Sequence, residues 1–209
     1  MFDFHYSQDA GDNRCGGYSL AAIATNLRPN AFHDPINVYS DLRDTQVNNF
    51  QNNILNAGRD SRDLVAYTHQ GGTDMLLPST FLAAHYAQLN YELNMNQLTF
   101  VQQALFPNNI NVNNIIAEES ATIGQNNIHP VQGDLQQFLQ NGLHTYWLVL
   151  VNNATHWVAI ERDPNGRYCI YNPGGGINGN VTIANNQIRY NNGGHVPHDW
   201  TGIAISVDL

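Results

Sequence analysis

Three short apolar segments follow one another late in the sequence and are separated by turn signals. The segments are Trp147–Val151, Thr155–Ile160 and Arg167–Tyr171. Asn152-Asn153 lies between the first two, and Asp163-Pro164-Asn165-Gly166 lies between the last two. Such clusters favour turns, and strands joined by short turns pair antiparallel. The stretch therefore predicts a three-stranded antiparallel meander around which the rest of the chain must pack.

Helical spacing dominates the N-terminal half of the sequence. The clearest case is Cys15–Asn26, where apolar residues recur every three or four positions and Pro29 follows the end. The other predicted elements are helices over 34–57, 80–89 and 135–140 and strands over 91–95 and 203–207. Helices that come first and an antiparallel sheet that comes last are typical of the α+β class. We therefore expect a single domain over 1–209, with N-terminal helices packed on a C-terminal antiparallel β-sheet. Residues 96–130 show no regular pattern and are interpreted as a small lobe or an insertion that faces a substrate.

The charge balance excludes two classes of partner. Seventeen acidic residues against eight basic ones give a net charge of −9 and a pI of about 5.2. This sign disfavours non-specific binding to nucleic acids and to anionic membranes. No stretch is long enough to span a membrane, the N-terminal residues show neither the basic start nor the apolar run expected of a signal peptide, and two cysteines are too few for a secreted disulfide scaffold. We therefore expect a protein without nucleic-acid or membrane partners, working in a reducing cytoplasm that is either its own or that of a host cell.

Lysine is absent from the sequence, and all eight basic residues are arginines. Lysine is normally among the commonest residues in proteins. One interpretation is drift within an unusual, asparagine-rich composition. The other is selection against modification of side-chain amines, because such a chain offers only its N-terminal amine to ubiquitin-type enzymes. We favour the second interpretation.

Cys15 is the first candidate functional residue. It stands at the predicted start of a helix after a polar turn, and Gly16 and Gly17 leave the backbone beside it open to close approach. A cysteine attacks as its thiolate, and both a helix N-terminus and a neighbouring imidazolium favour that form. Backbone N–H groups between Asp12 and Cys15 could stabilise an oxyanion. These features predict a nucleophilic cysteine.

His156 and Asn172 would complete the group. His156 lies near the start of the second strand of the meander and Asn172 follows the third, so they can lie side by side across a hairpin. His156 would act as general base and acid, while the Asn172 side-chain carbonyl fixes the tautomer of its ring. Asp163 is an alternative orienting residue, but it lies in a strong turn signal, and Asn172 is preferred. Cys169 lies within a strand and is interpreted as packed rather than reactive.

No metal or cofactor is expected. The segment His195-Val196-Pro197-His198-Asp199 has no partnering cysteine pair and no His-Glu-x-x-His helix. The glycine run 174–176 is interpreted as a loop, because a P-loop requires a lysine that this sequence lacks.

The order of these residues resembles the papain-like cysteine hydrolases: a cysteine opening a helix, a late strand with histidine, and an asparagine before a Pro/Gly loop. The resemblance implies a papain-like fold and makes Gln8 the oxyanion glutamine, one residue farther from the cysteine than is usual. Asp12-Asn13-Arg14-Cys15 resembles the Asp-x-x-Cys loop of the ovarian-tumour (OTU) deubiquitinases. In those enzymes the orienting residue usually falls two positions after the histidine, where this sequence has Val158. His-Trp-Val-Ala with a downstream Asn-Pro is also similar to bacterial effector proteases and glutamine deamidases of the same superfamily.

The sequence therefore predicts a thiol hydrolase that cleaves an amide or isopeptide bond in a protein substrate. Its expected site residues are Cys15, His156 and Asn172, with Gln8 and Asp12 at the oxyanion hole. The lysine absence and the Asp-x-x-Cys loop favour ubiquitin or a ubiquitin-like protein as substrate. One alternative is a glutamine deamidase or transglutaminase-like effector that uses the same three residues. A second alternative is a non-catalytic module that binds a protein partner.

Overall fold

The computed structural model describes residues 1–4, 6–8, 15–27, 90–96, 128–131, 133–152 and 156–208. Two helices lie within these ranges, α1 (Cys15–Leu27) and α2 (Leu135–Asn141). The strands within the same ranges are β1 (Asn90–Asn96), β2 (Ile128–Val131), β3 (Tyr146–Val151), β4 (His156–Arg162), β5 (Tyr168–Asn172), β6 (Ile177–Ala184), β7 (Gln187–Tyr190) and β8 (His198–Asp208).

Strands β3 to β8 form a closed barrel of six antiparallel strands. From β3 to β8 each strand pairs with its successor along the chain, and β8 returns to pair with β3. Outside the ring, β1 pairs antiparallel with the end of β8, and β2 adds to β1 in parallel. Every strand of the barrel therefore has a partner along both edges.

The long strand β8 closes the barrel because it changes neighbours along its length. Its first two residues pair with β7, whereas its last six pair with β1. Between the pairs Val149–Ala204 and Val151–Trp200, β8 has two more residues than β3. Gly202 lies in this irregular stretch with φ at +96°, a conformation that glycine adopts readily. Such a bulge bends a strand and increases its twist, which lets β8 leave one neighbour and join another.

The apolar core lies inside the barrel and is completed by α2. The strands supply Trp147, Val149, Val151, Val158, Ile160, Tyr168, Ile170, Val181, Ile183, Ile188, Tyr190, Trp200 and Ala204. Helix α2 adds the buried Leu135 and Leu139 to the same cluster. Asp134 caps the start of α2 by accepting the N–H of Gln137. The predicted helix over 135–140 is thus confirmed.

Arg162 fixes the other end of α2. Its guanidinium donates hydrogen bonds to four backbone carbonyls at 2.7–3.0 Å; these carbonyls belong to Leu139, Gln140, Gly142 and His144. The last carbonyls of a helix have no partner within it, and a cation at this end is favourable. The planar fork of an arginine can serve several acceptors at once, whereas a lysine presents a point charge.

The outer face of β3–β5 is buried as well. Helix α1 packs mainly against β4, and the Ser19 hydroxyl donates to the Trp157 carbonyl at 3.2 Å. The N-terminal segment covers β5, where the rings of Phe2 and Phe4 pack edge-on or tilted against Tyr171. Both phenylalanines are fully buried. These three strands therefore have apolar residues on both faces, which explains their nearly continuous apolar sequence.

The predicted α+β, papain-like arrangement of N-terminal helices on a C-terminal sheet is wrong. The described chain has a closed six-stranded barrel as its main element and two short helices. Three strands, β2, β6 and β7, were not anticipated, and β8 begins at His198 rather than at Ile203. Strands β6 and β7 and the longer β8 turn an open meander into a ring, and α2 packs onto the core that the ring encloses.

Several predicted elements are present with small shifts in their bounds. The helix expected over 15–26 is α1, the three meander segments are β3, β4 and β5, and the strand expected over 91–95 is β1. The helices predicted over 34–57 and 80–89 lie outside the described residues, as does most of the segment 96–130. Neither helix of the described ranges is long and apolar enough to cross a membrane.

Candidate active site

Cys15 is the first residue of α1 and is buried against β4. Its Sγ accepts a hydrogen bond from the backbone N–H of Trp157 at 3.4 Å, although the two residues are 142 positions apart in the sequence. Trp157 directly follows His156, so the sulfur lies beside the peptide bond that joins these two residues. A hydrogen bond to the charged form of an acid favours that form. The sulfur of Cys15 therefore has a backbone N–H donor from β4 beside it.

His156 and Asn172 meet at one end of the β4–β5 hairpin. His156 begins β4 and Asn172 ends β5. The pair Ala159–Tyr171 sets the antiparallel register that brings these ends together. The Nε2 atom of His156 lies 2.7 Å from Oδ1 of Asn172. The structure therefore brings His156 and Asn172 into direct contact and places Cys15 against the residue that follows His156 on β4.

A backbone amide defines the direction of this hydrogen bond. The N–H of Gly174 contacts the same Asn172 Oδ1 atom at 2.9 Å. A backbone N–H can only donate, so the side-chain atom facing it is the oxygen of the amide. His156 Nε2 must then carry a proton and donate to that oxygen. The neutral ring consequently has its lone pair on Nδ1, and this nitrogen is the one available to accept a proton.

The backbone of Gly174 packs directly against the His156–Asn172 pair, with no side chain between them. A Cβ atom at this position would lie 3.2 Å from Asn172 Oδ1 and 3.7–3.8 Å from Cε1 and Nε2 of His156. The absence of a side chain lets the loop approach closely enough for its N–H to bind the asparagine. The predicted loop over 174–176 is therefore a tight turn that is part of the site.

Gln8 lies beside the same turn. Its backbone N–H donates to the Pro173 carbonyl at 2.9 Å, and it forms a parallel bridge with Gly174. The side-chain Oε1 of Gln8 is buried and has no hydrogen-bond partner among the described residues. The structure thus places Gln8 next to the His156–Asn172 pair. The other residue predicted for the oxyanion hole, Asp12, lies outside the described residues.

Burial sets the charge of His156. Removal of the ring from water lowers its pKa below the usual 6.5, and the hydrogen bond to Asn172 opposes this effect in part. The ring is therefore neutral at pH 7. A neutral imidazole with a free nitrogen is the form that accepts a proton from a thiol.

The two other residues considered for the orienting role, Asp163 and Val158, do not contact His156 through a polar side chain. The Asp163 carboxylate accepts the backbone N–H groups of Asn165 and Arg167 and pairs with the Arg167 guanidinium. These hydrogen bonds, led by that from the Arg167 backbone, lower the pKa of Asp163. The residue follows the far end of β4, about 23 Å along the strand from His156. Val158 belongs to the apolar core and offers no polar atom.

Two functional candidates escaped the sequence analysis. The Asn172 Nδ2 atom donates to the Tyr190 hydroxyl at 3.2 Å and lies 3.3 Å from His198 Nε2. Tyr190 lies at the end of β7 and His198 at the start of β8, so barrel closure brings both to Asn172. His198 had been considered only as a metal ligand. Within the described ranges, no group of three or more His, Cys, Asp or Glu side chains is arranged to hold a metal ion.

The chain matches no protein-family model, and comparison with curated proteins and with solved structures finds no significant similarity. Its function has to be inferred from the site itself. The arrangement offers a buried thiol that accepts the Trp157 N–H, an oriented neutral imidazole on the preceding residue His156, and an asparagine that fixes its tautomer. Such a set is suited to nucleophilic chemistry at a carbonyl carbon.

Proposed function

We propose that this protein is a thiol hydrolase in which Cys15 is the nucleophile, His156 the general base and acid, and Asn172 the orienting residue. The proposal is supported chiefly by the directional chain from the Gly174 N–H through Asn172 Oδ1 to His156 Nε2. This chain leaves Nδ1 as the basic nitrogen of a ring whose neighbour along β4 already binds the cysteine sulfur. The protein resembles papain-like enzymes in these three residues and their chemistry, and not in its fold.

The reaction needs only groups that the chain supplies, together with one water molecule. His156 Nδ1 takes the proton of Cys15, and Sγ attacks the carbonyl carbon of the scissile amide to give a tetrahedral oxyanion. The proton on Nδ1 then passes to the leaving amine as the C–N bond breaks, which leaves a thioester. Water attacks the thioester with His156 again acting as base, and the carboxylic acid leaves as the thiol is restored. General acid–base catalysis of this kind typically contributes 10²–10⁴-fold.

Gln8 is the candidate oxyanion residue in this scheme. It is anchored through its backbone to Pro173, beside the orienting asparagine. The buried atom without a partner is its amide oxygen Oε1, and the nitrogen of the same amide is a donor suited to a developing oxyanion. Loss of one such donor typically costs 10²–10³-fold in rate.

The proposed substrate is ubiquitin or a ubiquitin-like protein joined through an amide or isopeptide bond. The lysine-free sequence supports this choice, because a protein that works on ubiquitin avoids modification by lacking acceptor amines. The net charge of −9 suits a basic face on the substrate, a complementarity that mainly accelerates encounter. The proposed place of action is a cytoplasm, its own or that of a host.

The test is incubation with ubiquitin that carries an electrophile in place of its C-terminal carboxylate. We expect a covalent adduct that forms on Cys15, is absent in Cys15→Ala and persists in the matched control Cys169→Ala. If Cys15 reacts rapidly with iodoacetamide but forms no adduct, the deamidase or another protease becomes the better account. If neither reagent modifies Cys15 faster than Cys169, the protein-binding module replaces the enzyme.

A further inference from the structure

Tyr190 and His198 form a buried polar group behind Asn172. The Tyr190 hydroxyl lies 3.1 Å from His198 Nε2, and both atoms lie within 3.3 Å of Asn172 Nδ2. On its other side, His198 Nδ1 lies 3.0 Å from Nδ2 of Asn152. The side chains of Asn172, Tyr190 and His198 are all buried. A buried polar network is stabilising only when its donors and acceptors match.

The direction of each hydrogen bond can be assigned from backbone groups at the two ends. The Asp199 N–H donates to Oδ1 of Asn152, so the Asn152 atom that faces His198 is the donor Nδ2. His198 Nδ1 must accept this bond, and its neutral ring carries the proton on Nε2. At the other end, Gly174 fixes Asn172 with Nδ2 toward Tyr190. The Tyr190 oxygen can then accept from both His198 Nε2–H and Asn172 Nδ2–H.

From this directional network we infer that Tyr190 and His198 are positioning residues, which hold the Asn172 amide with its oxygen toward His156. The inference rests on the proposed function, in which that oxygen selects the tautomer of His156. Rotation of the amide by 180° would bring Nδ2 against the Gly174 N–H, so Gly174 resists the wrong orientation from one side. On the other side, the Tyr190 oxygen accepts from Asn172 Nδ2 in the right orientation, and His198 holds that hydroxyl in place by donating to it from Nε2.

The network depends on His198 remaining uncharged. Burial lowers the pKa of His198 to about 4, with the charge of His156 and that of His195 acting in the same direction and Asp199 opposing them. The remaining ionisable group at the ring is Tyr190, whose own pKa is raised by burial. His195 in turn packs edge-on against Tyr190. Protonation would place an N–H on Nδ1 facing the Asn152 N–H donor, so the network keeps its direction only above about pH 4.

Removal of the Tyr190 hydroxyl tests the inference with the full chain. In Tyr190→Phe the Asn172 amide loses an acceptor, and we expect its bond to His156 to weaken. That bond raises the pKa of His156, so the His156 titration, followed by ¹⁵N NMR of the ring, should move to lower pH. The spectra should also show Nδ1–H tautomer that the wild type lacks. Iodoacetamide alkylation of Cys15 at pH 7 should slow about three- to tenfold, the usual effect of one hydrogen bond.

Tyr168→Phe is the matched control. Tyr168 is also buried in the barrel, at 9 % exposure against 7 % for Tyr190, but it lies four residues, about 13 Å, along β5 from Asn172. A merely structural loss of a hydroxyl should leave the His156 titration and tautomer as in the wild type. His198→Gln, which keeps a donor near the position of Nε2, should retain most of the wild-type behaviour, whereas His198→Leu should resemble Tyr190→Phe.

The inference is overturned if Tyr190→Phe and His198→Leu fold and leave the His156 titration, tautomer and Cys15 alkylation unchanged. It is also overturned if Tyr168→Phe produces the same shifts. Should Tyr190→Phe fail to fold, the contrast between His198→Gln and His198→Leu decides by the same readouts. A failure of the proposed function looks different, because wild-type Cys15 would then alkylate no faster than Cys169 while the His156 spectra still respond to the variants.

Discussion

The two cysteines of this chain lie in hydrogen-bonding environments of opposite sense. Both are buried, Cys15 at 1 % exposure and Cys169 at 4 %. Cys15 opens α1 and its sulfur accepts the Trp157 N–H, whereas Cys169 lies within β5 and donates its own S–H to Asn180 Oδ1 at 3.2 Å. An N–H group can donate to a sulfur, whereas a carbonyl oxygen can only accept the proton of an S–H group. Burial is common to both cysteines, so the difference in reactivity that we expect rests on the polarity of the neighbouring group.

The largest expected effect is on covalent modification. Cys15→Ala should abolish both the adduct with the ubiquitin electrophile and rapid alkylation, while Cys169→Ala should leave both intact. Mass spectrometry of alkylated peptides from the wild type should show Cys15 reacting about 10²-fold faster than Cys169 at pH 7, because the thiolate is the reactive form. Equal rates for the two cysteines would remove the distinction altogether.

Loss of the histidine should make the two cysteines more alike. His156→Ala should lower turnover by about 10²–10⁴-fold, the usual contribution of a general base, and should bring Cys15 alkylation toward that of Cys169. Asn172→Ala should lose less, because the ring keeps its basic nitrogen and only its orientation suffers. Steady-state kinetics measures both losses, and circular dichroism verifies the fold. Full activity in Asn172→Ala would assign the orienting role to another residue.

A methyl group at Gly174, next to Asn172 and His156, should lower turnover less than loss of either side chain. In Gly174→Ala the new Cβ lies 3.2 Å from Asn172 Oδ1, so either the loop or the asparagine must shift by a few tenths of an ångström. We expect kcat to fall several-fold, since small misplacements of catalytic groups are costly, with KM nearly unchanged. Gly166→Ala is an unsuitable control because its φ is +79°; Gly179→Ala, which meets open space, is the better one. Equal kinetics for the two variants would show that Gly174 needs no close approach.

The smallest expected effect is that of acid on the free energy of unfolding. It should depend on His198, which lies behind the proposed site, and not on Cys169. The pKa of His198 is 6.5 in an unfolded chain and about 4 in the fold, so the unfolded state binds the proton first as pH falls. Its contribution to stability is therefore complete above about pH 6.5 and is lost between pH 6.5 and 4. The slope is at most about 1.4 kcal/mol per pH unit, and solvent screening reduces it. Urea unfolding at several pH values should show a shallower decline for His198→Gln, whereas Cys169→Ala should follow the wild type.

The parts of the site that could be predicted are those with a local signature. A cysteine after a polar turn predicted the start of α1, and turn signals on both sides of β4 predicted the hairpin that joins His156 to Asn172. The start of α1 and the β4–β5 hairpin are both determined by residues close together in the sequence, which is why they could be predicted. The contact between Cys15 and β4 was inferred from chemistry rather than from any pattern in the chain.

Barrel closure was missed because its signals are short and surrounded by asparagines. Apolar residues do alternate on either side of Asn185-Asn186, a two-residue hairpin signal in which Asn185 adopts φ of +52°. The strands β6 and β7 therefore could have been found. The start of β8 could not, since His198 and Asp199 precede an irregular stretch around Gly202 that separates them from the apolar run. Because β7 and the start of β8 were not predicted, the positions of Tyr190 and His198 beside Asn172 were not predicted either.

The hydrogen bond between Cys15 and Trp157 has a consequence for how the protein acquires its chemistry. Its partners are separated by 142 positions, and the N-terminal segment is joined to β5 and β6 over still longer separations. Contacts between such distant segments form late and slowly, because the chain must first lose the entropy of closing long loops. A partly folded chain therefore lacks the hydrogen bond from β4 to Cys15, which forms only when the barrel and α1 have docked. Assembly of the Cys15 site thus follows completion of the native topology, because its two hydrogen-bonding partners come from distant parts of the chain.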